Sequence, residues 1–231
     1  MDFVVATNNS YKFKELKAIF RDYSGQDSSQ QGLNRQGYNS QGRTLHMPAE
    51  YGITFSYEEK GETFFENAFG KADALYSLLK ESGIEHPVIA DDSGLVVPSL
   101  NGEPGIMSAR YGRMEKGEEL SDREKIDYLL SRLNETLNKS GSEQKKRSAY
   151  FVCSMVVILG TDRFFAVQET FHGEIALKPA GEGGFGYDPV FFIPSLKKTI
   201  AQLSDDNKNR ISHRALAGRR ILTLLDSLKT V

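Results

Sequence analysis

Apolar and polar positions follow one another along this chain in patterns that predict both strands and helices. The run Phe3 to Thr7 has no polar interruption before its end and reads as a buried first strand, with a polar turn after it. Leu16, Ile19 and Phe20 then recur at helical spacing and give the next segment one apolar side. In "TFFENAFGKADALYSLLKESG", Phe65, Ala68 or Phe69, Ala72, Leu75 or Tyr76, and Leu79 keep a helical period, and Gly83 is a natural stop. The short run Val88 to Ala90 predicts a core strand that ends on Asp91 and Asp92, before a Ser-Gly turn and another apolar run. A second amphipathic helix is predicted in "LSDREKIDYLLSRLNETLNK", with Ile126, Leu129, Leu130, Leu133 and Leu137 on one face and Ser121 or Asp122 as its cap. "SAYFVCSMVVIL" and "RFFAVQETFHGEI" read as two long strands of a hairpin around Gly160-Thr161-Asp162. A Gly-rich loop, an apolar segment ending at Pro194 and a helix from about Ser212 follow. Helices and strands without strict βαβ alternation predict an α/β fold with a mixed sheet, in one domain spanning residues 1–231.

One stretch has no such pattern. Tyr23 to Arg43 is dominated by Gln, Gly, Ser and Asn and cannot bury enough apolar surface to offset its ordering entropy. Most of it, about residues 24–43, is expected to be a polar surface insertion. With 29 basic and 31 acidic residues the net charge is −2, so no large positive field advertises a nucleic acid or a membrane as partner. The single Cys153 lies in an apolar run and reads as a small buried hydrophobe; one cysteine builds no internal disulfide, which suits a reducing compartment. "MDFVVATNNS" lacks the basic start and apolar stretch of a secretory signal, and Ala149 to Leu159 falls short of the ~20 residues that span a bilayer. The expectation is a soluble, cytoplasmic protein.

Four segments combine turn residues and charge in ways that packing does not require. In "TNNSYK", Thr7, Asn8 and Asn9 with exposed backbone N–H groups form an anion cradle to which Lys12 adds a point charge, although the same residues also suit a plain helix cap. The Walker spacing is absent. Asp91 and Asp92 offer carboxylates of the kind that hold Mg2+ together with waters and phosphate oxygens; strand alternation points them in opposite directions. Glu58, Glu59, Glu62 and Glu66 add acids upstream, while the plainer reading makes one Asp a cap for the Ser-Gly turn. In "GEGGFGYDP", Gly181, Gly183 and Gly186 satisfy the dinucleotide fingerprint formally, but a turn into a strand follows where that site needs a helix. What remains is Phe185 between glycines, either a stacking surface for a flat ligand or a core aromatic beside a tight turn. In "NKNRISHRALAGRR", Ser212 reads as a cap, which puts His213 and Arg214 in a first helical turn, where a cation opposes the dipole and needs an anion or polar ligand edge. His46, His86 and His172 are scattered and read as structural or solvated.

"TNNSYK", "FFENA", "ADDSGL", "PGIMSARYG", "GGFGYDPVF" and "ISHR" stand in the order found in the inosine triphosphate pyrophosphatase family. The chain resembles that family from its first strand to its last helix, and only the polar stretch from about Ser24 to Arg43 is longer than the resemblance leads one to expect. The resemblance implies hydrolysis of dITP, ITP and XTP to the monophosphate and pyrophosphate, which removes deaminated purines from the nucleotide pool. It implies Asp92 as the catalytic, Mg2+-binding acid and Glu59 as a second metal carboxylate, with Glu58 and Glu66 as further candidates. Thr7, Asn8, Asn9 and Lys12 would hold the triphosphate, Lys208 would assist, and Ser93 would line the pocket. Phe185, with Gly186 and Tyr187 in its loop, would stack on the purine while Asp188, His213 and Arg214 contact its edge. The implied fold is an elongated α/β structure of two lobes around a long mixed sheet, with the active-site cleft between the lobes, and the implied assembly is a homodimer. A related group of nucleotide pyrophosphatases, resembling the septum-formation inhibitor, is the nearest rival; the "GGFGYDP" and "SHR" pairing argues against it.

Overall fold

The computed structural model describes residues 1–23, 42–113, 117, 119–139 and 147–228. Most of the expected polar insertion therefore lies outside the described residues. The elements run β1 (Asp2–Val5), α1 (Ser10–Asp22), β2 (Thr44–His46), α2 (Phe64–Glu81), β3 (Val88–Val96), α3 (Asp122–Lys139), β4 (Ser148–Gly160), β5 (Arg163–Ile175), β6 (Phe191–Ile193), β7 (Lys198–Thr199), α4 (Asp205–Ile211) and α5 (His213–Ser227). The strands form one seven-stranded mixed sheet in the order β2-β1-β3-β4-β5-β6-β7. β1 runs parallel to β2, with Phe3 opposite Leu45, and parallel to β3, with Val4 opposite Val88. At the other end, β6 pairs antiparallel with both β5 and β7. The chain is thus α/β with a mixed sheet, as its patterning predicts.

The chain forms two compact units. The first comprises Met1–Asp92, Ser154–Glu169 and Arg214–Val231. Its core packs Val4, Val88, Ala90, Val156 and Ile158 against Ala68, Ala72, Leu75 and Leu79 of α2, the predicted apolar stripe of that helix. The second comprises Ser93–Cys153 and Thr170–His213. There Ile126, Leu129 and Leu133 of α3 join Phe151, Ile175, Tyr187 and Phe191. Cys153 is fully buried, as its apolar neighbours imply. Among the described residues no helix is long and apolar enough to cross a membrane.

One expectation needs correction, and one short helix was not expected. The strand from Val88 does not stop at the acids: β3 continues through Asp91-Asp92-Ser93-Gly94 to Val96, so there is no Ser-Gly turn. Two acids can stay in a buried strand because cations from other elements meet them, as described next. The helix expected from about Ser212 is preceded by α4, seven residues capped by Ser204, whose side chain accepts from the Asn207 N–H. Ser212 closes α4 in an extended conformation, and α5 begins at His213.

Candidate active site

Three elements of the first unit bring charge to Asp91 and Asp92. Asn9 caps α1, its side-chain oxygen accepting from the backbone N–H groups of Tyr11 and Lys12 at 3.0 and 3.1 Å. Thr7 Oγ1 accepts from Asn9 N–H, and Asn8 Nδ2 donates to the Phe55 carbonyl. The cap fixes the first turn of α1, from which Lys12 Nζ reaches Asp91 Oδ2 at 3.2 Å. Arg214, in the first turn of α5, donates from Nε and Nη2 to the same oxygen at 3.3 and 3.1 Å and from Nη1 to Glu15. Arg214 is 1% exposed. The cation that opposes the α5 dipole is therefore balanced by two buried carboxylates, and its guanidinium is turned to them.

Asp92 faces a different set of partners. Asn67, on the buried stripe of α2, donates Nδ2 to Asp92 Oδ2 at 3.2 Å and accepts the Gly61 N–H at 2.8 Å. One helical turn on, Lys71 Nζ lies 2.7 Å from Glu59 Oε1 and 3.4 Å from Asp92 Oδ1. Glu58 pairs instead with Lys60 at the surface, and Glu66 accepts the N–H groups of Glu62 and Thr63 as part of the α2 capping box. Of the upstream acids in the sequence reading, Glu59 is the one joined to Asp92 through a shared cation.

These surroundings push the two aspartates apart. Burial alone would raise Asp91, but Lys12, Arg214 and Lys71 outweigh it and hold its carboxyl well below the usual range. For Asp92 burial prevails: Lys71 and Lys12 offset it only in part, Glu59 adds repulsion, and its carboxyl stands above the usual value. Asp91 is a fixed anion and Asp92 the better proton acceptor, an arrangement in which adjacent carboxyls take separate roles. Lys71, though buried, is also raised, because Asp92, Asp91 and Glu59 prevail over desolvation. The two upward shifts have different causes: burial raises Asp92, whereas the carboxylates of Asp92, Asp91 and Glu59 raise Lys71 against its burial. Among the described residues no three His, Cys, Asp or Glu side chains converge as a metal cage. Mg2+ needs no such cage, and two oxygen donors already converging on one cation, Glu59 and Asp92, are the residues that could hold it.

The second unit carries the glycine loop. Gly184 has φ 75° and Gly186 φ 60°, conformations that side chains resist, and a Cβ on Gly184 would lie 2.0 Å from Asp188 Oδ2. That oxygen accepts the Phe185 N–H at 2.9 Å and pairs with Lys208 Nζ, which sits 4.5 Å above the Phe185 ring. Lys208 therefore stands beside the aromatic loop, with Asp188 as its ion partner. Tyr187 is buried and donates its hydroxyl to the Ser108 carbonyl at 2.9 Å. His213 stacks on Phe151, with centroids 4.7 Å apart and 11° between the planes. Ser93 follows Asp92 within β3 and is half-buried. His46, His86 and His172 take no part: His46 bonds to Glu50, His86 packs on Tyr51, and His172 packs on Tyr150.

Sequence reasoning did not single out Glu15, Asn67 or Lys71. Each is a polar residue on the apolar side of a helix, beside Leu16, Ala68 and Ala72 respectively. A misfit in a buried stripe was the available signal.

One unit of this α/β chain sets a raised, buried acid beside lysines, which suits an anionic group; the other sets an aromatic ring beside a lysine–aspartate pair, which suits a flat one. Comparison with known proteins narrows this further: residues 3–224 match the profile of the Ham1 family, and the chain belongs to it. A dITP/XTP pyrophosphatase of Treponema denticola is 50% identical over 174 residues, 75% of this chain and 82% of that one. A dITP/XTP pyrophosphatase of Staphylococcus aureus is 40% identical over 100% of this chain and 99% of its own. Among solved structures, a HAM1 protein from Coxiella burnetii superposes with a TM-score of 0.76 at 32% identity, covering 98% of this chain and 99% of that one.

Proposed function

We infer that this chain hydrolyses non-standard purine nucleoside triphosphates, dITP, XTP and ITP, to the monophosphate and pyrophosphate. The observation that carries the inference is 40% identity along the whole chain to a protein named for pyrophosphatase action on dITP and XTP. The opposed character of Asp91 and Asp92 supports it from the chemistry.

In this reading Asp92 takes the proton of the attacking water, the task for which burial raises its carboxyl. Lys12 and the capped start of α1, with Thr7, Asn8 and Asn9, neutralise and orient the triphosphate. Glu59 and Asp92 would hold Mg2+, which when bound would offset phosphate charge and make water a better nucleophile. Asn67 and Lys71 keep those two carboxylates aimed. Phe185 stacks on the purine, backed by Lys208, while Asp188 and His213 contact its edge, Gly186 and Tyr187 shape the loop, and Ser93 lines the pocket. Arg214 acts from the Asp91 side, where its ion pairs hold it. A buried donor facing a 6-oxo group loses its partner when the base carries an amino group, which costs ~1–3 kcal/mol per contact and disfavours adenine.

The family resemblance extends the proposal to a homodimer, checked by sedimentation, and a chain with one cysteine suits the cytoplasm. The decisive assay is pyrophosphate release from dITP, XTP, ITP, ATP, GTP, dTTP and dUTP with and without Mg2+. Turnover concentrated on dITP, XTP and ITP supports the reading; equal turnover of dTTP or dUTP overturns it.

A further inference from the structure

We propose that Asp122, the first residue of α3, is a positioning residue for base recognition, holding Gly186 so that the Phe185 ring keeps its stacking pose. The inference rests on the reading of Phe185 as the base platform.

The start of α3 does not need Asp122 as a cap. Ser121 and Glu124 already form a reciprocal pair: the Ser121 N–H and Oγ donate to Glu124 Oε2 at 2.8 and 2.6 Å, and the Glu124 N–H donates to Ser121 Oγ at 3.4 Å. Asp122 instead reaches across 64 residues of sequence, where its Oδ2 accepts the Gly186 N–H at 2.8 Å. Its other oxygen is held by Lys125 Nζ at 2.9 Å, and Lys125 also donates to the Ala109 carbonyl at 3.3 Å. The carboxylate is therefore fixed at both ends. Its lowered carboxyl agrees with this: burial opposes ionisation, but Lys125 and the Gly186 N–H prevail.

Phe185 lies between two glycines in left-handed conformations, Gly184 and Gly186, so its own segment does little to fix the ring. Hydrogen bonds to carboxylates supply the rigidity. Asp188 holds the N–H of Phe185 itself, and Asp122 holds the next N–H along the chain, at Gly186. Together they clamp the aromatic residue on both sides from different parts of the sequence. Loss of the Asp122 clamp lets the loop sample other conformations, and substrate binding must then select the competent one.

The test is steady-state kinetics with dITP on wild type, Asp122→Ala, Asp122→Asn and Phe185→Ala, together with competitive inhibition by inorganic tripolyphosphate, which has no base. Asp122→Ala is expected to raise KM about five-fold, the range of one hydrogen bond, with kcat within about two-fold of wild type. Asp122→Asn, whose amide oxygen still accepts from Gly186, is expected to restore most of the affinity. Tripolyphosphate is expected to inhibit wild type and Asp122→Ala equally. A raised KM in Phe185→Ala with an unchanged KM in Asp122→Ala overturns the role of Asp122 alone. Equal impairment of both Asp122 variants overturns it in favour of a charge effect at the helix start, and a parallel loss of tripolyphosphate inhibition overturns it in favour of general damage. An unchanged KM in Phe185→Ala removes the stacking platform, and the inference with it.

Discussion

Asp91 and Asp92 are neighbours in one strand, yet removing their charges is expected to change stability in opposite directions. The folded carboxyl of Asp91 lies below its unfolded value. Its stabilising contribution is thus present above the unfolded pKa of about 4 and is lost as pH falls towards the folded one. Asp92 is raised, so its contribution is present below the unfolded value and lost as pH rises through the folded one; at neutral pH its charge opposes folding. In metal-free buffer at pH 7, Asp91→Asn should destabilise by about 3 kcal/mol, the scale of a buried ion pair broken on one side. Asp92→Asn should stabilise by about 1 kcal/mol, as expected when an unfavourably buried charge is neutralised. Urea unfolding of the two variants checks both signs, and a loss of stability in Asp92→Asn would contradict the placement of its charge. The same Asp92→Asn variant should lose at least about 100-fold in kcat, the lower range for a general base, while still binding dITP by calorimetry.

Helix α2 works as a rigid arm. Thr63 Oγ1 accepts the Glu66 N–H at 3.1 Å and Glu66 Oε2 accepts the Thr63 N–H at 3.1 Å, so the helix begins at a fixed point, and Asn67 and Lys71 project from its first two turns. Thr63→Ala is expected to lower stability by about 1 kcal/mol, the usual loss of a cap, read from the urea midpoint. The glycine loop depends on having no side chain at Gly184. Gly184→Ala would put a methyl group 2.0 Å from Asp188 Oδ2 in a left-handed conformation, so the loop must rearrange. KM for dITP should rise in this variant by about ten-fold or more, on the scale of one lost base stack, while inhibition by tripolyphosphate stays as in wild type. An unchanged KM would mean that the loop tolerates the methyl group without moving Phe185.

Across the molecule, what the sequence reveals depends on whether a signal is local. α2 and α3 were legible from the helical period of their apolar positions, and β4 and β5 as two long strand-like runs flanking Gly160-Thr161-Asp162. β3 was not: Asp, Ser and Gly are turn residues, yet the strand runs on through them between β1 and β4, and the charges of its two acids are met by Lys12, Lys71 and Arg214, drawn from three distant helices. α4, with Asp205, Asp206, Lys208 and Arg210 among its seven residues, is too short and charged to show a period. Asp92, Lys12 and Phe185 stood out as chemistry because their neighbours in sequence are residues typical of turns and caps, although Asp92 lies within β3 and Lys12 within α1. Asn67 and Lys71 were hidden in a helix whose stripe looked like ordinary core. The sheet order has no local signature, since β2 joins β1 from the far side of the polar stretch. The ammonium group of Lys71, seated between Glu59 and Asp92, has a consequence for the whole protein. The fold carries a built-in counter-ion where a divalent ion would otherwise be needed to quiet two acids. Chelation with EDTA should therefore stop turnover yet leave the melting temperature within about 3 °C, and a collapse of Tm on chelation would mean that the lysine cannot stand in.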